Sequence, residues 1–187
     1  MMKNPYLYGY LPFFTVLFFS LTFGIFTVSE SMSLLTGIGL YNGMLEFLTD
    51  FELRVFLFIL FSLCYFMLFS ALKLVGTTIH EMAMLFFSKD KEGEAMRHAR
   101  GANVIFFFGA LLSAVGVQSF YILVGIFLIT VFSYFVFLVF KLSTFMSFTG
   151  MIGLLMFEIL FWGVFVGFVI YVLFKLYNSL IAALPFI

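Results

Sequence analysis

The chain has 187 residues, of which 65% are hydrophobic and 10% charged, with 32 phenylalanines and a formal net charge of zero. A soluble domain carries about 25% charged residues, so a water-soluble globule is excluded, and balanced charge offers no basic field for nucleic acid. The length suits about four to six membrane crossings of about 20 residues each.

The first apolar run follows Lys3 and extends from Tyr6 to Val28, longer than the apolar region of a secretory signal. An uncleaved first span over Leu7–Val28 is the expectation. Ser29–Arg54 then mixes Glu30, Glu46, Asp50 and Glu52 with Leu34, Leu35, Leu40 and Phe47 around a Tyr41-Asn42-Gly43 turn signal. That mixture suits two short helices lying at the membrane surface. The second span is expected over Val55–Val75. Beyond it, Ile79, Met82, Leu85 and Phe86 recur at helical spacing, which extends the helix along the interface. The water-loving stretch Ser88–Glu94 follows, and Glu94 with Arg97 and His98 suits a short exposed helix ending at Gly101.

From Ala102 onward only Lys141, Glu158 and Lys175 are charged. Three more spans fall at Ala102–Val117, Phe120–Phe140 and Met151–Phe174. One continuous helix over the first two of these would be about 58 Å long against a hydrocarbon core of about 30 Å, so a tight hairpin at Gly116–Ser119 is expected. A separate half-helix over Phe145–Leu155 is the alternative that would change the side of the C-terminus. The runs are continuous rather than alternating, which excludes barrel strands. The fold class is therefore all-α: a polytopic helix bundle of about five transmembrane helices, with four or six as alternatives, forming a single integral-membrane domain over 1–187.

Orientation follows from lysine and arginine. With the N-terminus in the cytoplasm, Lys3, Lys73, Lys89, Lys91, Arg97, Arg100 and Lys141 fall inside, and only Arg54 and Lys175 outside. The expected location is the cell membrane. Lys73 and Lys141 are expected to bend outward toward water.

Glu158 is the candidate functional residue, because an ionisable group within a span is costly and marks a site by default. It is either a proton- or cation-binding carboxylate or a neutral acid joining two helices by a hydrogen bond. No second charge falls at its depth; Tyr134 with Ser133 and Thr130 are the candidate neighbours, and Ser62, Cys64, Tyr65, Ser113 and Thr15 are further ones. Gly163 and Gly167 lie about 140° and about 180° around the same helix from Glu158. Both faces are thus expected to meet protein: either the helix is central in the bundle, or one face meets a second copy or another membrane protein. Gly109, Ser113 and Gly116 form a second small-residue stripe, expected to seat a helix of the same chain. Trp162 is expected to sit beside Glu158, and the phenylalanines to face lipid.

His80-Glu81 opens like a zinc-protease motif, but position 84 is Met84 and one cysteine adds no ligand set, so no metal site is expected. No nucleophile, phosphate-loop or paired-carboxylate pattern appears. No enzyme activity and no cofactor are expected; the lipid bilayer is the expected surrounding.

Three stretches carry a family resemblance: Lys3-Asn4-Pro5-Tyr6-Leu7, Ile38-Gly39-Leu40-Tyr41-Asn42-Gly43-Met44 and Met84-Leu85-Phe86-Phe87-Ser88-Lys89-Asp90. They resemble the small YufK-type membrane proteins of Bacillus and its relatives, with the likeness running from the N-terminus to about Gly101. The resemblance implies a multi-pass protein of a Gram-positive cell membrane and transfers no functional residues.

Overall fold

The computed structural model describes residues 5–90 and 93–183. Lys3 and Lys91, used above for orientation, lie outside the described residues. The helices are α1 (Pro5–Gly37), α2 (Leu40–Met44), α3 (Asp50–Phe87), α4 (Glu94–Ala99), α5 (Asn103–Leu112), α6 (Phe120–Leu142) and α7 (Phe148–Ala183). Short 3-10 turns join α4 to α5 and follow α5 and α6. Among the described residues there is no strand.

Among the described residues, five helical stretches are long and apolar enough to cross a membrane: Gly9–Gly37, Asp50–Phe87, Arg97–Gly116, Phe120–Phe145 and Phe148–Ser179. Most outrun the expected spans, because a polar residue does not end a helix unless turn chemistry does. Ser29–Gly37 stays in α1, so the first connection holds one short helix, α2, rather than two. The break comes at Gly39, whose φ of 76° is a left-handed conformation that favours glycine. Helix α3 starts earlier than expected on a reciprocal cap. Thr49 donates its backbone N–H to Glu52 Oε2 at 2.8 Å, and Glu52 returns its own N–H to Thr49 Oγ1 at 3.3 Å.

Helix α4 ends at Ala99 and continues through Arg100–Ala102 into α5, so Gly101 terminates nothing. The hairpin between α5 and α6 is as expected: Ser119 is extended and donates its N–H to the Gly116 carbonyl at 3.0 Å. No half-helix separates at Phe145–Leu155, since α7 runs unbroken from Phe148.

The chain divides into two compact units. The first comprises residues 1–75 and 92–144, the second 76–91 and 145–187. In the first unit, Val16, Phe19 and Phe23 of α1 meet Phe69 of α3, Ala110 of α5 and Leu123 of α6. Rings fill this core at close range: Phe69 stands 5.2 Å from Phe127 and 5.3 Å from Phe23. Part of the phenylalanine excess is therefore interior, although Phe13, Phe56, Phe108 and Phe132 are among those exposed toward lipid. Hydroxyls cross-link the helices, Thr22 to Ser113 at 2.9 Å and Thr27 to Tyr65 at 3.0 Å. A Cβ on Gly109 would overlap the Thr130 side chain, so only glycine permits this approach of α5 to α6. A smaller cluster joins Val28 and Met32 of α1 to Leu53 and Leu57 of α3, with Tyr41 and Met44 against it.

In the second unit the end of α3 runs antiparallel to the first half of α7. Gly76 faces Trp162 at one end of the seam, and Phe87 faces Gly150 and Gly153 at the other. Ile79, Ala83 and Met84 of α3 and Leu154 of α7 are buried along it. Phe157 meets both Phe86 and Phe87 at 6.2 Å. Ser147 starts α7 by accepting the Gly150 N–H at 3.2 Å.

Candidate functional site

The seam of the second unit is built by residues three and four apart on each helix, which place side chains on one face. On α3 these are Gly76, Ile79, His80, Ala83, Met84 and Phe87; on α7 they are Leu154, Glu158 and Trp162. His80 and Glu158 therefore meet across it. Glu158 is 1% exposed and His80 6%, and His80 Nδ1 is bonded to Glu158 Oε1. The other carboxyl oxygen, Oε2, is buried and has no hydrogen-bond partner among the described residues.

The expectation that Glu158 lacks an ionisable neighbour is thus corrected. With a proton on Nε2, an imidazole and a carboxyl sharing one further proton form a neutral pair whichever of the two holds it. Pairing with His80 spares lipid an isolated carboxylate, which is the physical reason a glutamate tolerates this depth. Chemically the pair is an acid joined to a base, able to hold, shift and exchange a proton. It supplies two side chains, fewer than a zinc site needs.

Tyr134 belongs to the first unit, where Lys73 Nζ donates to its hydroxyl at 3.2 Å and to Asn103 Oδ1 at 3.5 Å. The ammonium also stands 4.5 Å from the Tyr134 ring centre and 5.0 Å from that of Phe106. Lys73 therefore turns onto aromatic faces and neutral oxygens instead of bending out to water, because these partners lower the cost of a half-buried cation.

Four of the remaining proposed neighbours of Glu158 bond other groups. Ser113 bonds Thr22, Tyr65 bonds Thr27, Thr15 donates to the Leu11 carbonyl and Thr130 to that of Ile126. Cys64 is exposed, and Ser62 Oγ is buried without a partner among the described residues.

Gly109, Ser113 and Gly116 seat helices of their own chain, as the sequence suggests: Gly109 meets Thr130, and Gly116 lies against Ile122 and Leu123. Gly163 and Gly167 differ. Both are exposed, with nothing within 4 Å of where a Cβ would stand. Within the second unit α7 meets protein on the Glu158 face alone, not on both. Trp162, one turn beyond Glu158, lies against Gly76.

His80 was discoverable from sequence. Ile79, Ala83 and Met84 surround it at helical spacing, the signature of a packed face. Choosing Met82, Leu85 and Phe86 as the apolar face, all three exposed, and reading His80-Glu81 as a broken metal motif hide that signal.

A family model described as a family of unknown function (DUF5366) matches residues 28–185. The chain belongs to that family. The DUF5366 match takes in Lys73, His80, Tyr134 and Glu158. The chain is also 38% identical over 184 residues to an uncharacterized membrane protein, YufK, of Bacillus subtilis (strain 168), covering 98% of this chain and 100% of the relative. The similarity thus extends well past Gly101. No solved structure matches the chain. With five membrane-spanning helices and a membrane-protein relative, it is a multi-pass integral membrane protein.

Proposed function

We propose that this protein is a non-enzymatic component of the cell membrane that acts by associating with a second copy of itself through α7. The observation that carries this reading is the bareness of α7 beyond Trp162. From Gly163 to Ser179 no residue is buried, and Gly163 and Gly167 leave an open strip of backbone. Apolar helices gain nothing from leaving lipid for one another, so association in a membrane comes from close backbone approach across small residues. Gly163 and Gly167 are spaced for that approach. The N-terminus is placed in the cytoplasm, in keeping with Lys89, Arg97, Arg100 and Lys141 on that side.

Native mass spectrometry from lipid nanodiscs tests the reading. The wild type is expected as a dimer and the Gly163→Ile/Gly167→Ile variant as a monomer. A monomeric wild type, or a variant that keeps the dimer, overturns it. Loss of a different co-purifying membrane protein in the same variant would replace self-association with a foreign partner.

A second reading, a small carrier or channel using Glu158 for a proton or cation, is favoured by the buried acid–base pair itself. Proton- or ion-linked flux in vesicles, abolished by Glu158→Gln, would establish it.

A further inference from the structure

We propose that His80 and Glu158 form a proton-binding site loaded from one side of the membrane only, the side of the Ser88–Asp90 segment. The inference goes beyond self-association and does not depend on it.

The first support is the hydrogen-bond inventory. His80 Nδ1 and Glu158 Oε1 are hydrogen-bonded to each other, and with one proton between them and one on Nε2 the pair carries no net charge. Glu158 Oε2 is buried and has no hydrogen-bond partner among the described residues. An incoming proton binds there, giving a carboxylic acid beside an imidazolium and raising the charge of the pair from zero to plus one. No co-reactant is needed, since the proton comes from the aqueous phase and returns to it.

The second support is position along the helices. His80 lies seven residues before the end of α3, about 10 Å along its axis, and Glu158 ten residues after the start of α7, about 15 Å. Ser88, Asp90 and Ser147 stand at that end, where the Asp90 N–H donates to Ser88 Oγ at 3.0 Å. In the other direction, Ile159–Phe174 carries no charge, and Lys175 lies about 25 Å along α7. The Ser88 end therefore offers protons a short route, whereas the opposite route along α7 is long and apolar.

The charges facing the pair are few. Glu81 is exposed and turned about 100° from His80 on α3. Lys73 lies about 10 Å along α3, on the same helix face, and is engaged by Tyr134 and Asn103. On α7, Glu158 and Lys175 are the charged residues.

Trp162 reports the event. It is the chain's one tryptophan and sits one turn from Glu158. Its emission responds to the charge created next to it. The full chain, in proteoliposomes of known orientation with impermeant buffers, is titrated between about pH 4 and about pH 9, the range that brackets carboxyl and imidazole groups. Orientation is read from the labelling of Ser88→Cys in a Cys64→Ser background by an impermeant thiol reagent.

The expected result is a single-proton step in Trp162 emission driven only by the pH on the Ser88 side. Glu158→Gln and His80→Gln abolish the step, and Lys73→Gln keeps it. Circular dichroism confirms that each variant folds; if Glu158→Gln does not fold, the His80→Gln and Lys73→Gln comparison decides. No step in the wild type, a step that survives loss of either partner, an equal response to pH on both sides, or net proton flux across the vesicle would overturn the proposal.

Discussion

The two units solve the same problem, holding helices together in lipid, by different means. In the first, rings interlock, small residues let backbones approach, and neutral hydroxyls such as those of Thr22 and Ser113 bond across the gap. In the second, a shorter seam closes around one acid–base pair, His80 and Glu158. Many weak contacts tolerate the loss of any one of them. A single ionisable pair does not, because deleting either partner leaves the other stranded in a medium without water.

The largest expected effect follows directly. His80→Leu or Glu158→Leu alone should destabilise the fold by about 3–5 kcal/mol, whereas the double replacement should recover most of it. Unfolding in mixed micelles measures all three. Equal additive losses would show that the residues do not act as a pair. Next in size is Gly109→Ile, which forces a side chain into Thr130 and should cost about 1–3 kcal/mol. Gly163→Ile should leave the fold of one chain almost unchanged, since nothing stands near it. A matching loss there would erase the distinction between the crowded glycines and the bare ones. Smaller than the Gly109 loss, Thr22→Val should cost about 0.6 kcal/mol, the usual worth of an interhelical hydroxyl bond in a membrane.

The smallest effect lies at the connection between α1 and α3. Tyr41 donates its hydroxyl to Asp50 Oδ1 at 2.7 Å, and Arg54 holds Asp50 Oδ2 at 2.8 Å. The Asp50 carboxylate raises the Tyr41 phenol above its ordinary value of 10.0. A raised value means the contact is intact below the free phenol range and is lost as pH rises through the shifted one. Ultraviolet titration, with Tyr41→Phe as the difference, should place this phenolate later than free tyrosine. A phenolate appearing at the free value would remove the bond to Asp50.

Much of the first unit is legible in sequence because its determinants are local. Run lengths mark the spans, Gly116–Ser119 marks the hairpin, and Gly109 with Ser113 marks a close approach. The second unit depends on a meeting between residues 78 positions apart. Hydropathy stops the second span at Val75, since Lys73, Thr77 and His80 lower the average, although nothing there breaks a helix. The continuation of the helix past Val75 is legible, but Ile79, Met82, Leu85 and Phe86 point to the wrong face: the buried one carries Ile79, His80, Ala83 and Met84. Lys73 misleads for the same reason: a flexible cation is expected at water, and only the fold reveals Asn103, Phe106 and Tyr134 around it.

The pairing of His80 with Glu158 is the central claim, and magnetic-resonance distance measurement addresses it most directly. The chain has two histidines, so His98→Gln leaves His80 as the one imidazole. With nitrogen-15 histidine and carboxyl carbon-13 glutamate in lipid, the account predicts strong dephasing of Nδ1 that disappears in Glu158→Gln. An imidazole nitrogen showing no coupling to any glutamate carboxyl would contradict it.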